Sequence, residues 1–188
     1  MVLMRLLYRS DSQKDVTWQT CANSKAAGTI EHMQPKKTRR PLVVMETTKG
    51  VIKFVLYPEI TPKTCANFIK LVKKGFYNGL TFHRVEPNFV IQGGDPKGNG
   101  SGGPGWSIPN EKNGPLKHNR GAVAMANAGR DTAGSQFYVV IGKPAPNLDE
   151  KEADGMSKYT IFGQVVNGQD AAERIKIGDK MMKVTVQE

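Results

Sequence analysis

The sequence predicts a mainly β domain, folded as an antiparallel barrel or sandwich. Many short β-rich runs follow one another, bounded by Gly, Pro and polar turns. Only two helical segments interrupt them, too widely separated to alternate with strands as a parallel βαβ sheet requires. No segment of the chain repeats another.

Taken in order, residues 42–46 and 51–57 are two β-rich runs around the turn Thr47-Thr48-Lys49-Gly50, which reads as a hairpin. In the second run Ile52, Phe54 and Leu56 share one face, with Lys53 on the other. A helix starts at Thr61-Pro62, with Thr61 as cap and Pro62 in the first turn. Cys65, Phe68, Ile69 and Val72 then fall on one apolar stripe, and Gly75 ends it. Residues 81–85 and 88–92 are strands joined by a Glu-Pro turn. Period-two alternation places Phe82 with Arg84 on one face, and Val90 with Gln92 on one face. A cation and an amide thus stand on a surface otherwise built of apolar side chains. Further strands are expected at 122–126, 137–141, 160–166 and 181–186, with a short helix at 169–175.

A chain of 188 residues suits one domain, or one domain with an appendage. A core of the size of residues 42–188 buries roughly two-thirds of its unfolded surface, so it needs neither disulfide nor metal as a staple. Cys21 lies in a polar segment and Cys65 on an apolar helix face, which argues against pairing and for a reducing, cytoplasmic location. The first apolar runs, Val2-Leu3-Met4 and Leu6-Leu7-Tyr8, are broken by Arg5 and too short for a secretory or membrane segment.

Half of the net charge of +10 sits in residues 1–41, where eight Lys or Arg face three acids. This segment shows neither alternation nor a helical stripe and is expected to be a basic, disordered extension of a domain spanning 42–188. A transit peptide for organellar import, or a true start at Met33, are the other readings of it. The run Lys36-Lys37-Thr38-Arg39-Arg40 is an electrostatic arm that can bind nucleic acid. It has no interleaved aromatics, which weighs against that role and for a solvated arm.

Two groups of residues carry the chemistry. The first is Phe82-His83-Arg84-Val85-Glu86-Pro87-Asn88-Phe89-Val90-Ile91-Gln92-Gly93-Gly94-Asp95. The second is Met125-Ala126-Asn127-Ala128-Gly129 followed by Gly134-Ser135-Gln136-Phe137-Tyr138. Together they resemble the cyclophilins, the peptidyl-prolyl cis-trans isomerases that bind cyclosporin, over residues 42–188. The resemblance implies a closed eight-stranded antiparallel barrel capped by two α-helices. It implies action on proline-containing polypeptides, without cofactor or metal. An enclosed barrel has no long exposed edge, so a monomer is expected.

Such an enzyme needs no nucleophile. The barrier to prolyl rotation, roughly 18–20 kcal/mol, is amide resonance. An apolar pocket with one fixed donor favours the twisted, less dipolar amide over the planar one. By match to the family, Arg84 is the donor, and Phe89, Val90, Tyr138 and Leu148 line the proline cup with Phe82 and Tyr159. Gln92 and Asn127 bond the substrate backbone, Ala126 presents main-chain groups, and Gln136 supports the arginine. Arg84, Phe89 and Gln92 form the catalytic set.

Four positions depart from the family pattern. Tyr138 stands where Phe is usual, Val90 where Met is usual, and Asn147 is the nearest match to the tryptophan of cyclosporin-sensitive members. Tyr159 takes the place of the pocket histidine. Weak cyclosporin binding at most is therefore expected, since the indole's area and N–H donor are both lost.

The loop 93–105 also matches G-x-G-x-x-G at Gly98–Gly103, but Pro104 and Pro109 follow in place of a helix, so no dinucleotide site is expected. The loop is a candidate wall for a second pocket, for residues preceding the proline. His32, His83 and His118 are scattered without metal-ligand spacing, and His83 reads as packed structure. Ser135 has no marked His and Asp to activate it. A module that binds proline segments without turning them over is the alternative to an enzyme.

Overall fold

The computed structural model describes residues 39–188, and residues 1–38 of the basic extension lie outside them. Arg40 and Pro41, which the sequence reading assigned to that extension, are held by the fold. The Pro41 carbonyl accepts from Leu56 N at 2.9 Å, and Arg40 donates from Nε to Glu59 at 2.8 Å.

Eight strands form close to their expected limits. They are β1 (Leu42–Thr47), β2 (Gly50–Leu56), β3 (Phe82–Glu86), β4 (Val90–Gly93), β5 (Ala122–Met125), β6 (Phe137–Val140), β7 (Ile161–Asn167) and β8 (Met181–Gln187). All pairings are antiparallel, in one sheet of order β3-β4-β6-β5-β7-β2-β1-β8.

The expectation of a closed barrel is corrected: the sheet curls but stays open between β3 and β8. At that seam lie one bridge, Thr81 with Lys180, and a few backbone bonds such as Phe82 N to Asp179 O at 2.9 Å. The reason lies in the register. An antiparallel ladder continued from Thr81–Lys180 would set β3 against the turn after the second helix, and β8 against the loop after the first. Neither segment is extended, so no ladder forms.

Helix α1 (Pro62–Lys73) buries Cys65, Phe68, Leu71 and Val72. Phe68 meets Phe54, Tyr77, Phe137 and Phe162 at ring-centroid distances of 4.9–5.8 Å. Aromatic pairs of this kind add about 0.5–1.5 kcal/mol each beyond the area they bury. Thr61 does not cap the helix by its side chain. Glu111, far along the chain, accepts from Lys63 N at 3.1 Å and Thr64 N at 2.8 Å instead. A carboxylate at a helix N-terminus satisfies orphan N–H groups and the positive end of the dipole together. Helix α2 (Gln169–Glu173) buries Ala171 and Ala172.

The sheet carries apolar side chains on both faces. The inner face holds the main core, with Phe82, Ile91, Val123, Phe137, Val139 and Phe162. The outer face holds a smaller cluster of Val90, Ala122, Ala124, Tyr138, Val140 and Ile161, covered by Phe89, Leu116, Leu148 and Tyr159. This is why β5 and β6 read as unbroken apolar runs: a strand buried on both faces loses its polar alternation.

Candidate active site

The site lies over the outer cluster, and a bulge decides what points there. Phe82 pairs with Gly93 while Arg84 pairs with Gln92, so His83 is an extra residue on β3. Adjacent partners on β4 face opposite sides, so Phe82 and Arg84 do too. The expectation that they share a face, and that Phe82 lines the site, is corrected. Phe82 is sealed in the inner core at 0% exposure, whereas Arg84 stands on the outer face.

Beyond the bulge the alternation is regular: Arg84 faces Gln92, Val85 faces Ile91 and Glu86 faces Val90. The turn between the strands carries Pro87 and then Asn88 at φ 60°, closed by Phe89 N to Glu86 O at 3.0 Å. This is a type II pattern, in which Pro suits the second position and Asn tolerates the left-handed third. It delivers Phe89 to the edge of the outer cluster.

A cavity of about 310 Å³ opens here. Arg84, Gln92 and Asn127 form its polar rim with Ala126, and Phe89, Val90, Tyr138, Leu148 and Tyr159 form its apolar walls. Of the residues singled out by the sequence, only Phe82 and Gln136 do not line it. Tyr138 and Tyr159 meet edge to face, centroids 6.0 Å apart at 81°. Leu148 comes from a 3-10 turn, Pro146–Leu148.

Arg84 is tethered lightly. Its Nη1 donates to Gln92 Oε1 at 3.2 Å, and its Nε lies 3.6 Å from Glu86, which the sequence marks only as part of the turn. Gln92 Nε2 donates to Gln136 Oε1 at 3.0 Å, and Gln136 Nε2 donates to the carbonyls of Gly100 and Gly102, both at 2.8 Å. The chain of amides thus runs from the arginine to the glycine-rich loop. Gln136 lines a neighbouring hollow of about 630 Å³, walled by that loop and by Trp106.

The loop is anchored by Asp95. Its buried carboxylate accepts from the N–H groups of Lys97 at 2.8 Å and Asn99 at 3.0 Å, and from Gly100 as well. Burial pushes this carboxyl up, but the backbone donors of Lys97, Gly102, Gly100 and Asn99 together hold it below its ordinary pKa. A Cβ at Gly102 would fall 2.0 Å from Asp95 Oδ1, so only glycine fits.

The Asn127 side chain is already committed. Its Nδ2 donates to Lys158 O at 2.7 Å, and its Oδ1 accepts from Gly129 N at 3.3 Å. Its main-chain N–H and C=O have no hydrogen-bond partner among the described residues. The main chain of Asn127 is thus open toward the cavity that the residue lines.

Behind the pocket lies a residue the sequence reading left without a role. The Tyr138 hydroxyl is 2.9 Å from Nε2 of fully buried His118, whose Nδ1 is 2.8 Å from Asp149 Oδ1. Burial pushes the His118 imidazole below its usual pKa, against the pull of Asp149, and pushes the Tyr138 phenol well up. The one sequence signal for this pair was a hydroxyl on an otherwise apolar buried strand, which requires some partner.

Residues 42–188 match the family model for "Cyclophilin type peptidyl-prolyl cis-trans isomerase/CLD". This chain belongs to the cyclophilin family. The cyclophilin is 50% identical over 137 residues to peptidyl-prolyl cis-trans isomerase B of Bacillus subtilis, covering 72% of this chain and 90% of that protein. It is 42% identical to a peptidyl-prolyl cis-trans isomerase of Synechococcus elongatus, covering 76% and 94%. Among solved structures it resembles a cyclophilin of Cryptosporidium parvum, with TM-score 0.70 and 30% identity over 80% of this chain and 99% of that one. A structure of the same protein in the presence of the dipeptide Ala-Pro matches with TM-score 0.69 and 31% identity, over 78% and 99%. Like its relatives, this cyclophilin is a peptidyl-prolyl cis-trans isomerase.

Proposed function

We propose that this cyclophilin accelerates rotation about X-Pro bonds in folding or flexible polypeptides, holding the proline ring in the 310 Å³ cavity with Arg84 as the catalytic donor. The observation that carries the reading is the placement of Arg84. It stands at the rim of an apolar cup, bonded within the protein to a neutral amide and 3.6 Å from an exposed acid. Nη2 has no partner among the described residues, so donors remain for the substrate.

The mechanism follows from the amide. When the X-Pro bond twists, resonance is lost, the carbonyl becomes less polar and the nitrogen regains its lone pair. Phe89, Val90, Tyr138, Leu148 and Tyr159 surround the ring with carbon and favour this less dipolar state. The Arg84 guanidinium donates to the prolyl nitrogen or the neighbouring carbonyl, an interaction stronger in the twisted state than in the planar one. Gln92 and the main chain of Asn127 hold the flanking backbone, so that rotation occurs on one side of the bond only. No bond is made or broken.

Proline-containing polypeptide as the substrate is supported by the family and by the Ala-Pro dipeptide used with the C. parvum relative. The hollow beside Gln136 suits side chains preceding the proline. The test is NMR exchange on a short Pro-containing peptide with catalytic amounts of protein. Accelerated cis-trans exchange is expected. Chemical-shift evidence of binding without accelerated exchange would instead establish a module that captures proline segments.

A further inference from the structure

The Tyr138 hydroxyl poses a problem for an apolar cup. A phenol in the wall of a proline pocket brings a donor and an acceptor to a place that functions by lacking them. Left unpartnered there, a buried hydroxyl costs about 1–3 kcal/mol. The structure shows where it goes: 2.9 Å from His118 Nε2, on a residue at 0% exposure that does not line the cavity.

His118 is itself fixed. Asp149 Oδ1 lies 2.8 Å from its Nδ1 and accepts from its backbone N–H at 3.1 Å. The His118 carbonyl accepts from Ala145 N at 2.9 Å. Ala145 and Asp149 bracket the 3-10 turn that carries Leu148, so both ends of that pocket wall are tied to one residue. A carboxylate only accepts, so Nδ1 carries the ring proton; the neutral imidazole then offers Nε2 as an acceptor, and the phenol must donate.

We propose that His118, clamped by Asp149, is the positioning residue of the proline pocket: it draws the Tyr138 hydroxyl out of the cup and pins the Leu148 wall to the same point. This rests on the reading of the cavity as the proline site. Neither residue touches the substrate. Their effect is on the shape and polarity of the cup, and so on how tightly it holds the ring, more than on the donor that acts in the twisted state.

The experiment measures peptide Kd by NMR titration, and kcat and KM separately by exchange, for the full chain and for Asp149→Ala, Asp149→Asn and His118→Asn. Asp149→Ala removes the clamp and is expected to raise Kd and KM about tenfold, the size of one lost buried hydrogen bond. The kcat should change by less than about twofold. Asp149→Asn keeps a carbonyl acceptor and should recover most of the affinity. His118→Asn keeps an N–H for Asp149 but cannot reach the hydroxyl, and should lose affinity with the wall still tied. In the unmodified protein the His118 ring nitrogens should report an Nδ1–H tautomer with a slowly exchanging proton.

An Nε2–H tautomer, an unchanged Kd in folded Asp149→Ala, or a loss confined to kcat would each overturn the proposal. Should Asp149→Ala fail to fold, the tautomer and the Asp149→Asn and His118→Asn pair still decide it. If the wild type binds peptide but does not accelerate exchange, the isomerase reading fails alone, since the Kd series still tests the clamp.

Discussion

Arg84 donates from Nη1 to Gln92 Oε1, at 3.2 Å across the β3–β4 ladder. Gln92 in turn depends on Gln136, whose Oε1 takes the other end of its amide. Replacing Gln136 by Ala should therefore reduce kcat/KM about tenfold through Gln92 and Arg84, although Gln136 does not line the cup. Gln136→Glu keeps the acceptor but loses the donors to Gly100 and Gly102, and should fall between the two. Exchange kinetics on one peptide compare all three proteins.

Asp95 makes the glycine-rich loop acid-sensitive. Its folded pKa is lowered, so the stability it contributes is present above the unfolded value, near 3.8, and is lost as pH falls through the lower folded value. Amide protection at Asn99 and Gly100 should persist above the unfolded value near 3.8 and be lost only as pH falls below it, through the lowered folded pKa. Asp95→Asn should weaken that protection at neutral pH and flatten its acid dependence. Hydrogen exchange across the pH range reads both. Gly102→Ala should loosen the same loop at every pH, because its methyl group would collide with Asp95.

Cyclosporin should inhibit this protein only weakly. The 3-10 turn carries Asn147, an exposed residue, which by resemblance is the nearest match to the tryptophan of cyclosporin-sensitive members. The missing apolar area and N–H donor remove both components of that contact. An activity titration should show no stoichiometric end point. Inhibition complete at one equivalent would contradict this.

The Cys65 thiol should be inert in the folded protein. Burial is the main influence pushing its pKa up, to about 11, so little thiolate exists at neutral pH. Mass mapping of its peptide after alkylation should find Cys65 modified only once the protein is unfolded.

The eight strands were legible because each is a separate β-rich run between Gly, Pro or polar turns, and the cavity walls because their residues match a family motif. What was hidden depended on distant or irregular geometry. Period-two reasoning put Phe82 beside Arg84, and nothing local marks His83 as the residue that breaks the period. Thr61 looked like a cap, but Glu111 competes for the same N–H groups from nearly fifty residues away. Openness of the sheet follows from what lies opposite β3 and β8 in the folded chain, which strand propensities do not encode. His118 is separated from Tyr138 by twenty residues and from Asp149 by thirty-one, and only the fold joins them.

The central claim is that Arg84 stabilises the twisted amide. NMR exchange on a Pro-containing peptide, with wild type, Arg84→Ala and Arg84→Lys side by side, tests it most directly. The account predicts that Arg84→Ala stays folded and binds the peptide within a few-fold, while catalysed exchange falls about a hundredfold, as for loss of a preorganised donor. Arg84→Lys should recover only part, since an ammonium cannot bond Gln92 and the substrate with the same planar fork. Exchange undiminished in folded Arg84→Ala would contradict the account and leave the apolar cup as the whole catalyst.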